Sequence, residues 1–178
     1  MKTKKIAALS MLAAISIVGV MLIRFSIFPQ VSFLEYDPAD VPIFISTFAF
    51  GVVPGMILTA VVSVIQGFTV SAGSGIIGIV MHILATGTFV IVAGLFYKKK
   101  KTRKRAYAAL ALGVVSMCAV MTLWNLIITP IHMGLPHGAI FPFMPYIIAF
   151  NFIKAGINAV LTAVLYKRVH VQIEKFIG

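Results

Sequence analysis

Apolar residues run along this chain in six blocks, separated by short polar or proline- and glycine-marked breaks. The pattern predicts helices over residues 6–28, 42–53, 54–70, 76–97, 106–129 and 143–166. A helix that crosses a bilayer needs roughly 20 apolar residues, so the block at 42–53, closed by Val53-Pro54-Gly55, is the shortest candidate. The breaks read FLEYDPADVP at 33–42, SAGSG at 71–75, KKKKTRKR at 98–105 and HMGLPHGAIFP at 132–142. The expected fold class is an all-α membrane protein with six transmembrane helices, forming one domain over residues 1–178.

Composition narrows the class. The chain is 61% apolar and only 11% charged, with a mean hydropathy of +1.07, whereas a soluble domain carries about 25% charged residues. That excludes a water-soluble globular enzyme, a disordered tail and a secreted disulfide scaffold. Cys118 is the single cysteine and sits in an apolar run, so neither a disulfide framework nor a cysteine metal cluster is expected. Lys2, Lys4 and Lys5 precede an apolar stretch at 6–23. That stretch is longer than the core of a signal peptide and reads as the first membrane helix.

The net charge of +11 is sorted rather than spread. Six spans put the N-terminus, the second turn, the 98–105 run and the C-terminus on one side. Every Lys and Arg except Arg24 and Lys154 then falls on that side, and Glu35, Asp37 and Asp40 fall on the other. Cytoplasmic flanks collect Lys and Arg. Both termini are therefore expected in the cytoplasm, with the chain in the cytoplasmic membrane. The basic run reads as a topology determinant, with no nucleic-acid partner.

Polar side chains inside the spans are costly and carry the most information. They fall at Thr59, Ser63 and Gln66, at His82 and Thr86, at Thr122, Asn125 and Thr129, and at Asn151, Lys154 and Asn158. Each set keeps to one helix face. At 1.5 Å per residue, Gln66 and Asn125 lie about 6 Å below the outer helix ends, His82 about 9 Å, Asn151 about 12 Å and Lys154 about 16 Å. The long polar groups thus occupy the outer half, which describes a pocket open to the exterior and closed below. A channel or proton relay would carry them through the full depth.

Asn125 and Asn151 suit ligand contacts or interhelical hydrogen bonds equally. His82 reads as a satisfied core histidine or as a ligand contact. Lys154 lies too deep to reach water easily and no span contains an acid, so it needs carbonyls, water or a bound molecule. Arg24 is expected to reach the interface or to pair with Asp37 or Asp40. Phe33, Leu34, Tyr36 and two prolines make the 33–42 segment a candidate lid. His132 and His137 share a loop with no carboxylate or cysteine nearby, so no metal site is expected there. Ala7, Ser10 and Ala14 form a small-residue face on the first helix, fit for close packing within the bundle or against a partner. The sequence contains no Walker-type loop, HExxH or GxSxG, so neither ATP hydrolysis nor catalysis is expected.

FLEYDPADVP, the Val-Pro-Gly turn, the basic run and FNFIKAGINAVLTAVLYKR in the last block together resemble the riboflavin-binding S-component of energy-coupling factor (ECF) transporters. The resemblance covers nearly the whole chain. It implies a vitamin-capturing subunit with an outer pocket, and an energising module of a transmembrane T-component and two ATPases. It implies flavin contacts at Asn125, Asn151 and Lys154, and cover from Leu34 to Asp37, including Tyr36. Gln66 and His82 complete the expected pocket. The small face of the first helix would meet the T-component, with Ser10 in place of an alanine. The implied ligand, riboflavin or FMN, is cargo rather than a cofactor. Residue chemistry alone leaves open an S-component for another vitamin or precursor, or a small membrane channel or enzyme.

Overall fold

The computed structural model describes residues 2–134 and 136–177. Among these it forms six α-helices: α1 (Lys2–Leu22), α2 (Asp40–Phe50), α3 (Val52–Phe68), α4 (Gly75–Lys98), α5 (Arg103–Met133) and α6 (Met144–Ile177). Strands β1 (Phe25–Ser26) and β2 (Glu35–Tyr36) pair antiparallel between α1 and α2. Short 3-10 turns fall at Pro29–Val31, Ala72–Ser74 and His137–Phe143.

The arrangement follows from α2. This helix packs against α1, α3, α4 and α6, and residues from Asp40 to Phe48 are buried without a break. A helix apolar on all sides belongs inside a bundle, so α2 is the inner rod, with α1, α3, α4 and α6 around it and α5 packed outside on α4 and α6. Phe44 of α2 stacks on Phe89 of α4, with ring centroids 3.6 Å apart and planes 10° from parallel. On α5, Gly113 faces that Phe89 ring, and a Cβ at Gly113 would stand 2.7 Å from it. Outward-facing apolar residues such as Ile15, Ile57, Leu123 and Val160 remain exposed. Lipid is the solvent for such a surface.

Gly51 separates α2 from α3 at φ +100°, a conformation that only glycine adopts without strain. The chain turns back there, so that Gly55 of α3 closes on Thr47 of α2. At 11 and 17 residues, α2 and α3 are shorter than the 20 or so that cross a bilayer. Four stretches are long and apolar enough to do so: Thr3–Leu22, Ala72–Lys98, Arg103–Met133 and Gly138–Ile173.

Several boundaries differ from the sequence expectation. The first helix ends at Leu22, not 28, because residues 25–26 pair with 35–36 instead. An apolar run of four or five residues fits either state. α5 passes Pro130 and ends at Met133. A proline near a helix end removes one hydrogen bond without stopping the chain. α6 continues past 166 to Ile177, since its basic residues sit on exposed turns where no apolar partner is needed.

The α1–α2 segment has its own small core. Val31, Leu34 and Tyr36 pack with Ile140, Ile147 and Phe150, which docks the segment onto α6. Arg24 makes an ion pair with Glu35 and donates to the Val70 carbonyl in the turn after α3. The expected partners of Arg24, Asp37 and Asp40, are engaged elsewhere.

Candidate functional site

A cavity of about 360 Å³ lies where the α1–α2 segment meets the α3–α4 turn, at the end of the bundle away from the basic run. Leu34 and Asp37 cover one side. Ser63 and Gln66 of α3, His82 of α4, and Asn151 and Lys154 of α6 supply polar groups. Met81, Met117, Met121 and Phe150 supply an apolar wall. Ligand sites have this character, mostly apolar with a few placed polar groups.

Lys154 has an acidic partner after all. Its Nζ stands 2.7 Å from Asp37 Oδ2 and 3.4 Å from the Glu35 carbonyl. The acid comes from the covering segment rather than from a span, and for that reason a search of the spans finds none. Asp37 is placed by its local sequence. In Asp37-Pro38-Ala39 the Oδ1 accepts the Ala39 N–H at 3.0 Å, the side-chain turn that Asp favours beside proline.

Asn158 and Asp40 form the deeper anchor. Asn158 Nδ2 donates to the Asp37 carbonyl and to Asp40 Oδ2, each at 3.1 Å, and Tyr36 Oη donates to Asn158 Oδ1 at 3.1 Å. Thr86 Oγ1 donates to Asp40 Oδ1 at 2.7 Å. Asp40 is fully buried yet lies in the cavity wall. Burial, and then the Asp37 carboxylate, push the Tyr36 phenol above its ordinary value of 10.0. The hydroxyl therefore stays protonated and donates throughout the neutral range.

His82 Nε2 lies 3.3 Å from Asp40 Oδ1, close but out of alignment for a hydrogen bond. Its Nδ1 is 2.6 Å from Ser63 Oγ, which also reaches the Thr59 carbonyl at 2.6 Å. Ser63 has one hydroxyl proton, so when it donates to Thr59, His82 donates to Ser63 through Nδ1. The order Ser63–His82–Asp40 is that of a hydrolase triad. Ser63 sits mid-helix in α3, however, where the backbone N–H groups are engaged in the helix and none is left to hold an oxyanion.

Leu34, Asp37, Gln66, His82, Asn151 and Lys154 thus share one cavity. Asn151 Nδ2 donates to the Ile147 carbonyl at 2.8 Å. Asn125 and Tyr36 stand outside the cavity wall. Asn125 lies on α5 between Met121 and Thr129, both of which line the cavity. Its amide is engaged with the Met121 carbonyl at 2.7 Å and the Thr129 hydroxyl at 2.8 Å. Tyr36 turns its hydroxyl to Asn158 and its ring to Phe25, 5.3 Å away. Asp40, Asn158 and Thr86 were not singled out as site residues from sequence. The signal for Thr86 and Asn158 is their i, i+4 spacing from His82 and Lys154, and Asp40 is itself one of the acids of 33–42. His132 lines the cavity from the end of α5, and the His137 side chain lies outside the described residues. Among the described residues no cluster of three metal-ligating side chains occurs.

The family described as "ECF transporter, substrate-specific component" matches residues 4–166. The chain belongs to that family. It is 26% identical to "Riboflavin transporter FmnP" of Bacillus subtilis over 184 aligned positions, covering 98% of this chain and 96% of that protein. It is 29% identical to "Riboflavin transporter RibU" of Staphylococcus aureus over 179 positions, covering 94% and 90%. A solved structure, "Structure and mechanism of the S component of a bacterial ECF transporter", superposes with a TM-score of 0.83 at 28% identity, covering 94% of this chain and 96% of that one. This ECF S-component is accordingly a multi-pass membrane transport protein and not an enzyme.

Proposed function

We propose that this S-component captures riboflavin in the cavity beneath the α1–α2 segment and delivers it inward with a T-component and two ATPases. The reading rests first on similarity along almost the full chain to two proteins named riboflavin transporters. The wall chemistry suits the ligand. An isoalloxazine ring is a flat apolar body with one edge of alternating donors and acceptors. Asn151 offers both complements and Lys154 donates to a ring carbonyl or ribityl hydroxyl. Leu34, Asp37, Gln66 and His82 complete the contacts. Asn125 joins by turning its amide away from Thr129, and Tyr36 acts by orienting the lid.

The proposed topology has all six helices within the membrane, both termini cytoplasmic and the cavity facing outward. The sorting of Lys and Arg supports it: the 98–105 run lies at the end opposite the cavity. The single domain is then the vitamin-binding unit, and the exposed Ser10 and Ala14, with half-buried Ala7, form the face of α1 that meets the T-component.

Titration of the detergent-purified chain with riboflavin tests the proposal. The expected result is saturable quenching of flavin fluorescence. Asn151→Ala should weaken the affinity at least about tenfold, or ~1.4 kcal/mol. A colourless preparation that leaves riboflavin fluorescence unchanged would overturn the flavin reading in favour of another vitamin. Ala14→Leu is expected to leave quenching intact while reducing uptake into cells that express the complete transporter. Uptake at the wild-type rate would remove the α1 face from the assembly.

A further inference from the structure

A second cavity, of about 380 Å³, opens at the other end of the bundle between the α4–α5 turn and the last turns of α6. Flavin capture uses none of it. Lys101 and Arg103 line it from the turn and Lys167 lines it from α6. All three are exposed. Among the described residues no carboxylate lines this concavity, and the first turn of α5 contains no acid. Three like charges around one hollow repel one another until an anion enters. The N-terminus of α5 adds the positive end of its dipole, with Thr102 capping it by accepting the Arg105 N–H at 3.3 Å.

The hollow is also amphiphilic. Its floor is made of Phe48, Leu110 and Ala163. Below Lys167, Val164 and Val160 follow at helical spacing on the same face of α6, 66% and 63% exposed. A soluble anion needs only the cations. The exposed apolar stripe that continues from them suits an acyl chain.

We propose that this cavity seats the phosphate of an anionic phospholipid, held by Lys101, Arg103 and Lys167, with its chains along Val164 and Val160. The site is distinct from the flavin cavity and does not depend on the identity of the vitamin. It places an anionic lipid at the joint between the α4–α5 turn and α6.

Native mass spectrometry of the full chain, released from micelles holding equal amounts of phosphatidylglycerol and phosphatidylcholine, provides the test. One phosphatidylglycerol is expected to be retained in preference to phosphatidylcholine. Each basic residue beside an anionic lipid contributes about fivefold. Arg103→Gln with Lys167→Gln should therefore lower the preference at least about tenfold. Lys98→Gln with Lys99→Gln removes the same amount of charge at the same end of the bundle but outside the cavity, and should leave the preference unchanged. Equal retention of the two lipids by the wild-type chain overturns the proposal without needing any variant. An equal loss in the Lys98/Lys99 variant overturns it as well, because the attraction would then be diffuse. Displacement of phosphatidylglycerol by inorganic phosphate at comparable concentration would also overturn it, assigning the hollow to a soluble anion.

Discussion

Lys154→Met is expected to destabilise the purified protein by about 3–5 kcal/mol, the usual consequence of stripping one partner from a buried ion pair. The side chains of Lys154 and Asp37 are only 13% and 9% exposed. With Lys154 gone, the Asp37 carboxylate stays in place, held by the Ala39 N–H, with its charge uncompensated. The cost should therefore be largely relieved in the double variant Asp37→Asn/Lys154→Met, in which neither member of the pair is charged and the buried Asp40 keeps its bonds to Thr86 and Asn158. Unfolding in detergent measures both. A double variant as unstable as the single one would show that packing of the lysine stem, not the charge, accounts for the loss. Riboflavin affinity behaves differently. It should fall in both variants, because the donor is missing from both.

The second large effect is expected at Asp40. Asp40→Ala removes the acceptor of the Thr86 hydroxyl and of one Asn158 N–H, both buried. Leaving a buried donor unsatisfied costs about 1–3 kcal/mol, so the variant should lose roughly 4 kcal/mol in all. Thr86→Val, which removes a single bond, should lose only about 1 kcal/mol. The loss at Asp40 should also reach the α1–α2 segment, because Asn158 holds the Asp37 carbonyl and the Tyr36 hydroxyl. Hydrogen exchange across residues 33–39 is expected to quicken in Asp40→Ala and to stay near wild type in Thr86→Val. Unchanged exchange in both would show that the segment is held by its own apolar core alone.

Much of this was legible beforehand. The apolar blocks locate all six helices, because burial in lipid or in a bundle core demands the same unbroken hydrophobicity. That equivalence also hides the difference between α2 and its neighbours. The 42–53 block reads as a short crossing, whereas the burial of α2 from Asp40 to Phe48 makes it the inner rod on which α1, α3, α4 and α6 pack. The hairpin at 25–36 was not legible, since Phe25 and Phe28 extend an apolar run without a helical break.

For the cavity, helical spacing brought Gln66, His82, Asn151 and Lys154 to inward faces, and the structure places them in one wall. Pairing across long separations was hidden. Lys154 meets Asp37, Thr86 meets Asp40 and Arg24 meets Glu35, and no local pattern distinguishes these choices from the other acids of 33–42. Asn125 carries the same spacing signal as Asn151, yet both ends of its amide are taken up within α5, whereas Asn151 gives an N–H to its own helix and lines the cavity. Periodicity reports a helix face, not the rotamer.

The flap over the cavity is fastened from within. Asp37 grips Lys154, its carbonyl receives Asn158, and Leu34 is pressed into a greasy seat against α6. A guest that leaves past the flap does so only after these ties part together. Its dwell time is then governed by how often the flap lifts, so guests of quite different affinity would share a similar departure rate.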